Sequence, residues 1–272
     1  MSELLLSSTK NAVTTLTMNH PRRLNGWTEE MMEALRAAFR RVEADAATQV
    51  VVLTGTDPYY SAGVNLSGTL QLTHPRVLRD TIATRNQALF DLFLDLDKPM
   101  IAAVNGPAIG ATVTSATLCD AIVASDKATF STPFAKLGVS PEGCSSVHLP
   151  RLIGAENAER MLGVEGWKPT AAEALEVGFV SEVVPHAELL PRAQTLGEQW
   201  VAEGRRRSFR AGATREELKA VNARESQALG DAFLAAPFLM GQYRFLRRKK
   251  KYGPALTFLG LRLTRPAWAR ML

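Results

Sequence analysis

Apolar and polar positions alternate from Ala12 to Met18, and β-branched residues fill that stretch, which predicts a strand. Thr28 can cap a following helix whose apolar face runs through Met32, Leu35, Phe39 and Val42. Val50 to Thr54 is a short apolar strand ending at Gly55, and Tyr59 to Gly68 is loop-like. Pro75 to Leu96 carries Leu78, Ile82, Leu89, Phe93 and Leu96 at helical spacing. Met100–Val104 predicts a strand broken at Asn105-Gly106-Pro107, followed by a small-residue helix over Ala111–Leu118. Short strands follow at Ala121–Ala124, Ala128–Ser131 and Val180–Val184. Thr170 to Glu173 has the form of a capping box that opens a helix ending near Gly178. From Leu189 the pattern is helical only, over about 189–203, 214–230 and 232–249. Strands alternating with helices predict an α/β layer fold, with a helical C-terminal appendage from near residue 200.

With 272 residues and 46% hydrophobic residues, the chain can bury one large core. A formal charge of +5 changes this picture only locally, because the excess sits in Arg205-Arg206-Arg207, Arg210 and Arg247 to Lys251. Such a basic face suits a polyanion, or it is a solvated helix end. No aromatic residues interleave with the run Arg247 to Lys251, so nucleic-acid binding is a poor reading. Two cysteines, Cys119 and Cys144, make no disulfide framework. Met1 to Lys10 lacks a signal pattern, Arg270-Met271-Leu272 is not a peroxisomal address, and no apolar run approaches a membrane span. A cytoplasmic protein, free of the membrane, is the expectation. The four histidines, His20, His74, His148 and His186, are scattered and predict no metal site.

Three loops look built for a ligand. Tyr60 to Leu66 and Asn105 to Ala111 contain glycines that let the backbone approach a ligand and aim its N–H groups. The second also opens a helix, whose first N–H groups favour negative charge. The third, Gly138 to Ser146, holds Glu142 between Pro141 and Gly143. That glutamate reads as a catalytic carboxylate, as an exposed loop charge, or as the N-terminal charge of a helix starting near Ser145. No dinucleotide-binding glycine pattern, P-loop or Gly-x-Ser-x-Gly elbow occurs.

In this order, the three loops resemble the crotonase superfamily, the enoyl-CoA hydratase/isomerase family. Ser61-Ala62-Gly63-Val64-Asn65-Leu66 is similar to the family's first oxyanion segment, with Asn65 where Asp is usual. Lys98 to Gly110 is similar to the second, and Cys119-Asp120 follows at the family's distance. Ser140 to Ser146 resembles the signature of the peroxisomal-type Δ3,Δ2-enoyl-CoA isomerase branch, as do Leu218–Ala223 and Phe245–Lys249. The likeness runs from about residue 10 to about 250; residues 250–272 lie beyond it.

The resemblance implies a spiral of ββα turns over residues 1–200 and a helical assembly segment over 201–272. That segment would form a homotrimer or a dimer of trimers. It implies an acyl-CoA thioester substrate, no further cofactor, and a role in fatty-acid β-oxidation. Glu142 would be the catalytic base, and the N–H groups of Val64 and Ala111 the oxyanion hole. Ala62, Gly63, Gly110, Thr114 and Pro141 would line the substrate. Arg22 and Arg23, with Phe245 and Lys249 of the last family helix, would meet the CoA moiety. Family hydratases carry a second glutamate where this chain has Thr114. Isomerisation is therefore the expected activity, with hydration, or acyl-CoA binding without turnover, as alternatives.

Overall fold

The computed structural model describes residues 3–64 and 73–272, so Asn65 and Leu66 of the first loop lie outside the described residues. In chain order the elements are β1 (Leu5–Lys10), β2 (Val13–Met18), α1 (Glu29–Ala44), β3 (Val50–Gly55) and α2 (Pro75–Asp95). Next come β4 (Met100–Val104), β5 (Ala108–Ile109), α3 (Ala111–Thr117), β6 (Ala121–Ser125), β7 (Phe130–Ser131) and α4 (Phe134–Leu137). The chain continues through α5 (Ser145–Ile153), α6 (Ala155–Leu162), α7 (Ala171–Glu176), β8 (Glu182–Val184) and α8 (Leu189–Ala202). It closes with α9 (Arg215–Phe233), α10 (Ala236–Arg248) and α11 (Tyr252–Trp268).

A six-stranded sheet has the order β1-β2-β3-β4-β6-β8. Only β1 runs antiparallel to its neighbour; the other pairs are parallel. Every residue of β3, β4 and β6 is buried, as expected for parallel strands covered on both faces. Leu189, Ala193 and Trp200 of α8 cover one face. The other face joins the main core, with Leu35 and Phe39 of α1 and Phe90 and Phe93 of α2.

A second, short ladder lies across the ends of the long strands. β5 pairs with β7, and isolated bridges extend the ladder from Ser61 to Ala108 and from Trp27 to Val64. Each turn of chain thus lays one long strand in the large sheet, then a short extended segment on the preceding turn, then a helix. This is the stacked ββα spiral that the family likeness implies, and it ends in a helical C-terminal region.

The capping box forms: Glu173 N–H donates to Thr170 Oγ1 at 3.3 Å, and Thr170 N–H donates to Glu173 Oε2 at 2.7 Å. Beyond the two-residue strand β5 and the one-turn helix α4, three further elements were not expected. β1 is an edge strand with only Leu5 buried, so it shows no alternation. α6 is two turns long, and α11 hides its helical period behind Gly253, Pro254, Gly260 and Pro266. The predicted helix over 232–249 begins later, at Ala236, because α9 runs on to Phe233 and Pro237 sits in the first turn of α10.

The basic cluster near residue 205 is divided: Arg205 and Arg206 are exposed, while Arg207 and Arg210 turn inward. Arg207 is buried against Asp120, and its guanidinium also donates to the carbonyls of Leu118 at 2.6 Å and Phe93 at 3.1 Å. Asp120 in turn accepts from Met100 N–H at 2.9 Å and Ser208 N–H at 2.8 Å. Arg210 donates to the carbonyls of Phe179 and Gly178 at 2.7 Å each. The pair therefore ties the segment leading into α9 to the start of β4. Breaking a buried pair leaves one charge uncompensated. Asp120→Ala is expected to lower unfolding stability by about 3–5 kcal/mol in urea titration, since Arg207 would then stay buried alone.

Candidate active site

The turn Pro21–Arg23 leads into Asn25, a buried residue at φ 52°. Asparagine tolerates this left-handed conformation, and here its side chain spans two loops. Asn25 Nδ2 donates to the carbonyls of Thr56 at 2.6 Å and Tyr59 at 2.7 Å, and Oδ1 accepts from His20 N–H at 2.9 Å. Ser61 Oγ donates to the Asn25 carbonyl at 2.7 Å, and Ala62 N–H donates to the Leu24 carbonyl at 2.9 Å. Arg22 and Arg23, both exposed, are thereby held beside the first loop by its backbone rather than by their own side chains.

The first two loops stack backbone on backbone. Ser61 N–H donates to the Pro107 carbonyl at 3.3 Å, and Ile109 N–H donates to the Ser61 carbonyl at 3.1 Å. Gly63 has φ +80°, and a Cβ there would lie 2.4 Å from the Ile109 carbonyl oxygen. Only glycine fits at that contact. Ser61 bridges Ala108, so Val64 and Ala111 each lie three residues beyond the same rung. Among the described residues, neither N–H has an acceptor.

Both loops open on a cavity of about 170 Å³ between α2, α4 and α9. Its walls include Met32, Ile82, Leu89, Phe134, Leu229 and Phe233. Ala62, Gly63, Val64, Gly110, Ala111 and Glu142 all line it, so six of the residues singled out in the sequence meet in one place. Thr114, Pro141, Arg22, Arg23, Phe245 and Lys249 do not line it. Thr114 is buried behind the wall, and its hydroxyl donates to the Ala111 carbonyl at 3.2 Å. Phe245 and Lys249 are exposed at the far end of α10.

Glu142 is only 8% exposed, so it is not a solvated loop charge. Its carboxyl makes no hydrogen bond among the described residues. Burial, and then the nearby Glu225 carboxylate, push its pKa up to about 8. Nor does Glu142 supply the N-terminal charge of α5. Glu225 of α9 does so, accepting from Cys144 N–H at 2.7 Å, Ser146 N–H at 2.8 Å and Ser146 Oγ at 2.5 Å. Sequence reasoning missed Glu225, because its partners are 79 to 81 residues away. Cys144 is buried with its thiol pKa pushed up, which fits packing rather than nucleophilic chemistry. The other acid at the cavity, Glu29, is 57% exposed at the rim and faces Arg85 at 3.7 Å.

Residues 8–253 match the family model for enoyl-CoA hydratase/isomerase. Over 267 residues the chain is 35% identical to human enoyl-CoA delta isomerase 2, covering 92% of this chain and 64% of that protein. It is 31% identical to mouse peroxisomal enoyl-CoA delta isomerase 3, covering 92% of this chain and 80% of the relative. Thus the chain spans a little under two thirds of the human relative's length. A solved enoyl-CoA hydratase/isomerase from Pseudoalteromonas atlantica T6c superposes with a TM-score of 0.76 at 27% identity, over 90% of this chain and 98% of that one. Matched along most of its length in both sequence and spiral fold, the chain belongs to the enoyl-CoA hydratase/isomerase family.

Proposed function

We propose that this chain is a Δ3,Δ2-enoyl-CoA isomerase in which Glu142 carries one proton between two carbons of a fatty acyl-CoA. The observation that carries this reading is a buried carboxyl facing an apolar cavity lined also by Val64 and Ala111, neither the carboxyl nor their two N–H groups having a hydrogen-bond partner among the described residues. Ionised Glu142 takes a proton from C2 of the 3-enoyl thioester. The C2–H electron pair moves into the conjugated system, and negative charge gathers on the thioester oxygen. Val64 and Ala111 N–H donate to that oxygen; a preorganised donor of this kind is worth about 10²–10³ in rate. The protonated Glu142 then returns the proton to C4, leaving the double bond between C2 and C3 and the carboxylate restored. A pKa near 8 suits a group that must act first as base and then as acid. The shift is redox-neutral and asks for no cofactor beyond the CoA of the substrate itself. The apolar walls fit an acyl chain, and Arg22 and Arg23, beside the first loop, suit the CoA phosphates.

Hydration is the second reading, because the family's name covers both activities. Adding water requires one group to position the water and another to deliver a proton. At the hydratase position Thr114 is bonded to the Ala111 carbonyl and packed behind Gly143. Glu225 is committed to the amides of the loop. One buried carboxyl faces the cavity among the described residues, which favours the proton shift.

Glu142→Gln is expected to lower turnover of a 3-enoyl-CoA by about 10²–10⁴ while binding of a CoA thioester stays within a few fold. Near-wild-type turnover by that variant would remove Glu142 from the mechanism, and wild-type hydration of a 2-enoyl-CoA outpacing isomerisation would favour the second reading. Stability offers a separate check. The folded pKa of about 8 lies above the ordinary carboxylate value of 4.5. A group with a raised folded pKa contributes stability at low pH that is lost as pH rises through the folded value. Glu142→Gln should therefore match the wild-type Tm at about pH 4 and exceed it increasingly up to about pH 9. Equal melting across that range would show that the carboxyl is not desolvated. Finally, α10 and α11 expose Phe245, Tyr252, Leu256 and Leu263, and we place the homotrimer contacts on these helices. Light scattering should give a multiple of the 29.6 kDa chain mass; a monomer would refute the assembly.

A further inference from the structure

The turn that carries Glu142 is backbone that a chain of L-residues does not adopt unaided. Gly143 and Cys144 follow Glu142 with φ +66° each, two left-handed residues in succession. For Cys144, which carries a Cβ, that conformation is strained. Gly143 is forced by contact as well as by φ, since a Cβ there would lie 2.4 Å from the Phe90 ring and 2.6 Å from Thr114 Oγ1. Something outside the turn must hold Cys144, and it comes from α9. Glu225 Oε2 accepts from Cys144 N–H, and Oε1 accepts from both Ser146 N–H and Ser146 Oγ. Cys144 Sγ adds a contact to the Leu218 carbonyl at 3.1 Å, about two turns earlier on α9. From the same helix, Leu229, one turn beyond Glu225, lines the cavity.

We infer that Glu225 is the positioning residue of this site: by gripping the amides of Cys144 and Ser146 from α9, it fixes the left-handed turn that aims the Glu142 carboxyl into the cavity. The inference rests on the proton-shuttle reading of Glu142. Glu225 is 6% exposed, outside the cavity lining, and saturated by three donors, so it touches no substrate. Burial pushes the Glu225 carboxyl pKa up, and its three donors, with Arg224, oppose that rise by favouring the charged form. Glu142, with no donor among the described residues, is then the member of the pair that exchanges a proton, and its ionised form is the base of the proposed shift. The groups around them are few. Asp91 of α2 and Glu225 both act on the Cys144 thiol, Arg224 of α9 draws the Glu225 charge toward the ionised form, and Glu29 and Arg85 lie at the solvent rim. Neutralising Glu225 therefore removes a negative neighbour of Glu142, and the pH at which Glu142 ionises should fall.

The test uses the full chain, a 3-enoyl-CoA substrate, and the variants Glu225→Gln, Glu225→Asp and Ser146→Ala. An amide has one acceptor oxygen, so Gln cannot hold both N–H groups. Glu225→Gln is expected to speed hydrogen exchange at the 142–146 amides by about tenfold or more. It should lower kcat by about 10–100-fold with KM changed by less than about threefold, the signature of a misaimed group rather than lost binding. The acid limb of its kcat profile should move to lower pH. Glu225→Asp keeps the charge but shortens the reach, so kcat should fall with the acid limb near its wild-type position. Ser146→Ala removes one hydroxyl donor, leaves the fold least disturbed, and should lower kcat by only a few fold. Wild-type exchange and kcat in Glu225→Gln would overturn the inference, as would a kcat loss with the acid limb unmoved and exchange unchanged at 142–146. Equal turnover by wild type and Glu142→Gln would instead overturn the proton-shuttle reading. Activity lost in Glu142→Gln but kept in Glu225→Gln would overturn the positioning role alone.

Discussion

Two stretches of backbone approach each other more closely than any side chain allows, and the site exists because of that approach. At Gly63 the carbonyl of Ile109 occupies the place of a Cβ. The rung from Ser61 to Ala108 sets the register, and both chains then turn inward together. Nothing in this arrangement depends on the side chains of Val64 or Ala111. It depends on the spiral, which returns the chain to the same edge after each long strand. The large sheet therefore supplies rigidity, while the short ladder beside it supplies the spacing between N–H groups. Asn25 and Asn105 brace this edge: Asn105 Oδ1 accepts from Gly55 N–H at 3.2 Å, and its Nδ2 donates to Asp57 at 2.8 Å.

The two buried glutamates show how environment divides one chemistry into two roles. Both suffer desolvation, which favours the neutral carboxyl. Glu225 answers it with three donors, which stabilise its charge and turn it into an anchor. Glu142 has none among the described residues and remains chemically available. Such a group stores the cost of its own ionisation inside the fold. That cost is tolerable only because the turn bearing it is pinned at both sides: by Ser145, whose hydroxyl donates to the Glu142 carbonyl at 2.7 Å, and by α9.

Legibility in the sequence followed the range of the interactions. Local signals were readable: the Thr28 and Thr170 caps, the strands that bury every residue, and a glutamate isolated between proline and glycine. The loops that line the cavity were recognisable because backbone needs glycine at specific points, and glycine is visible. Glu225 was not readable. In Arg224-Glu225-Ser226 it looks like any polar residue of an amphipathic helix, and only the tertiary fold brings it to Cys144. Arg207 misled in the same way, since a run of three arginines looks solvated until Asp120 is brought beneath it. β1 carries too little burial to announce itself.

The choice between moving a proton and adding water then comes down to volume rather than to a missing acid alone. Behind the cavity wall Thr114 and Phe90 pack so closely on Gly143 that a Cβ there would lie 2.6 Å from Thr114 Oγ1 and 2.4 Å from the Phe90 ring. A longer acidic side chain at Thr114 would have to displace the Phe90 ring or push back the turn that holds Glu142. Either movement would disturb the aim that Glu225 secures from the other side. A second carboxyl and the present aim of Glu142 thus compete for the same space. On the proton-shuttle reading, a site that gives this space to packing has one proton carrier among the described residues, and one carrier serves a 1,3-shift because the proton it removes is the proton it returns.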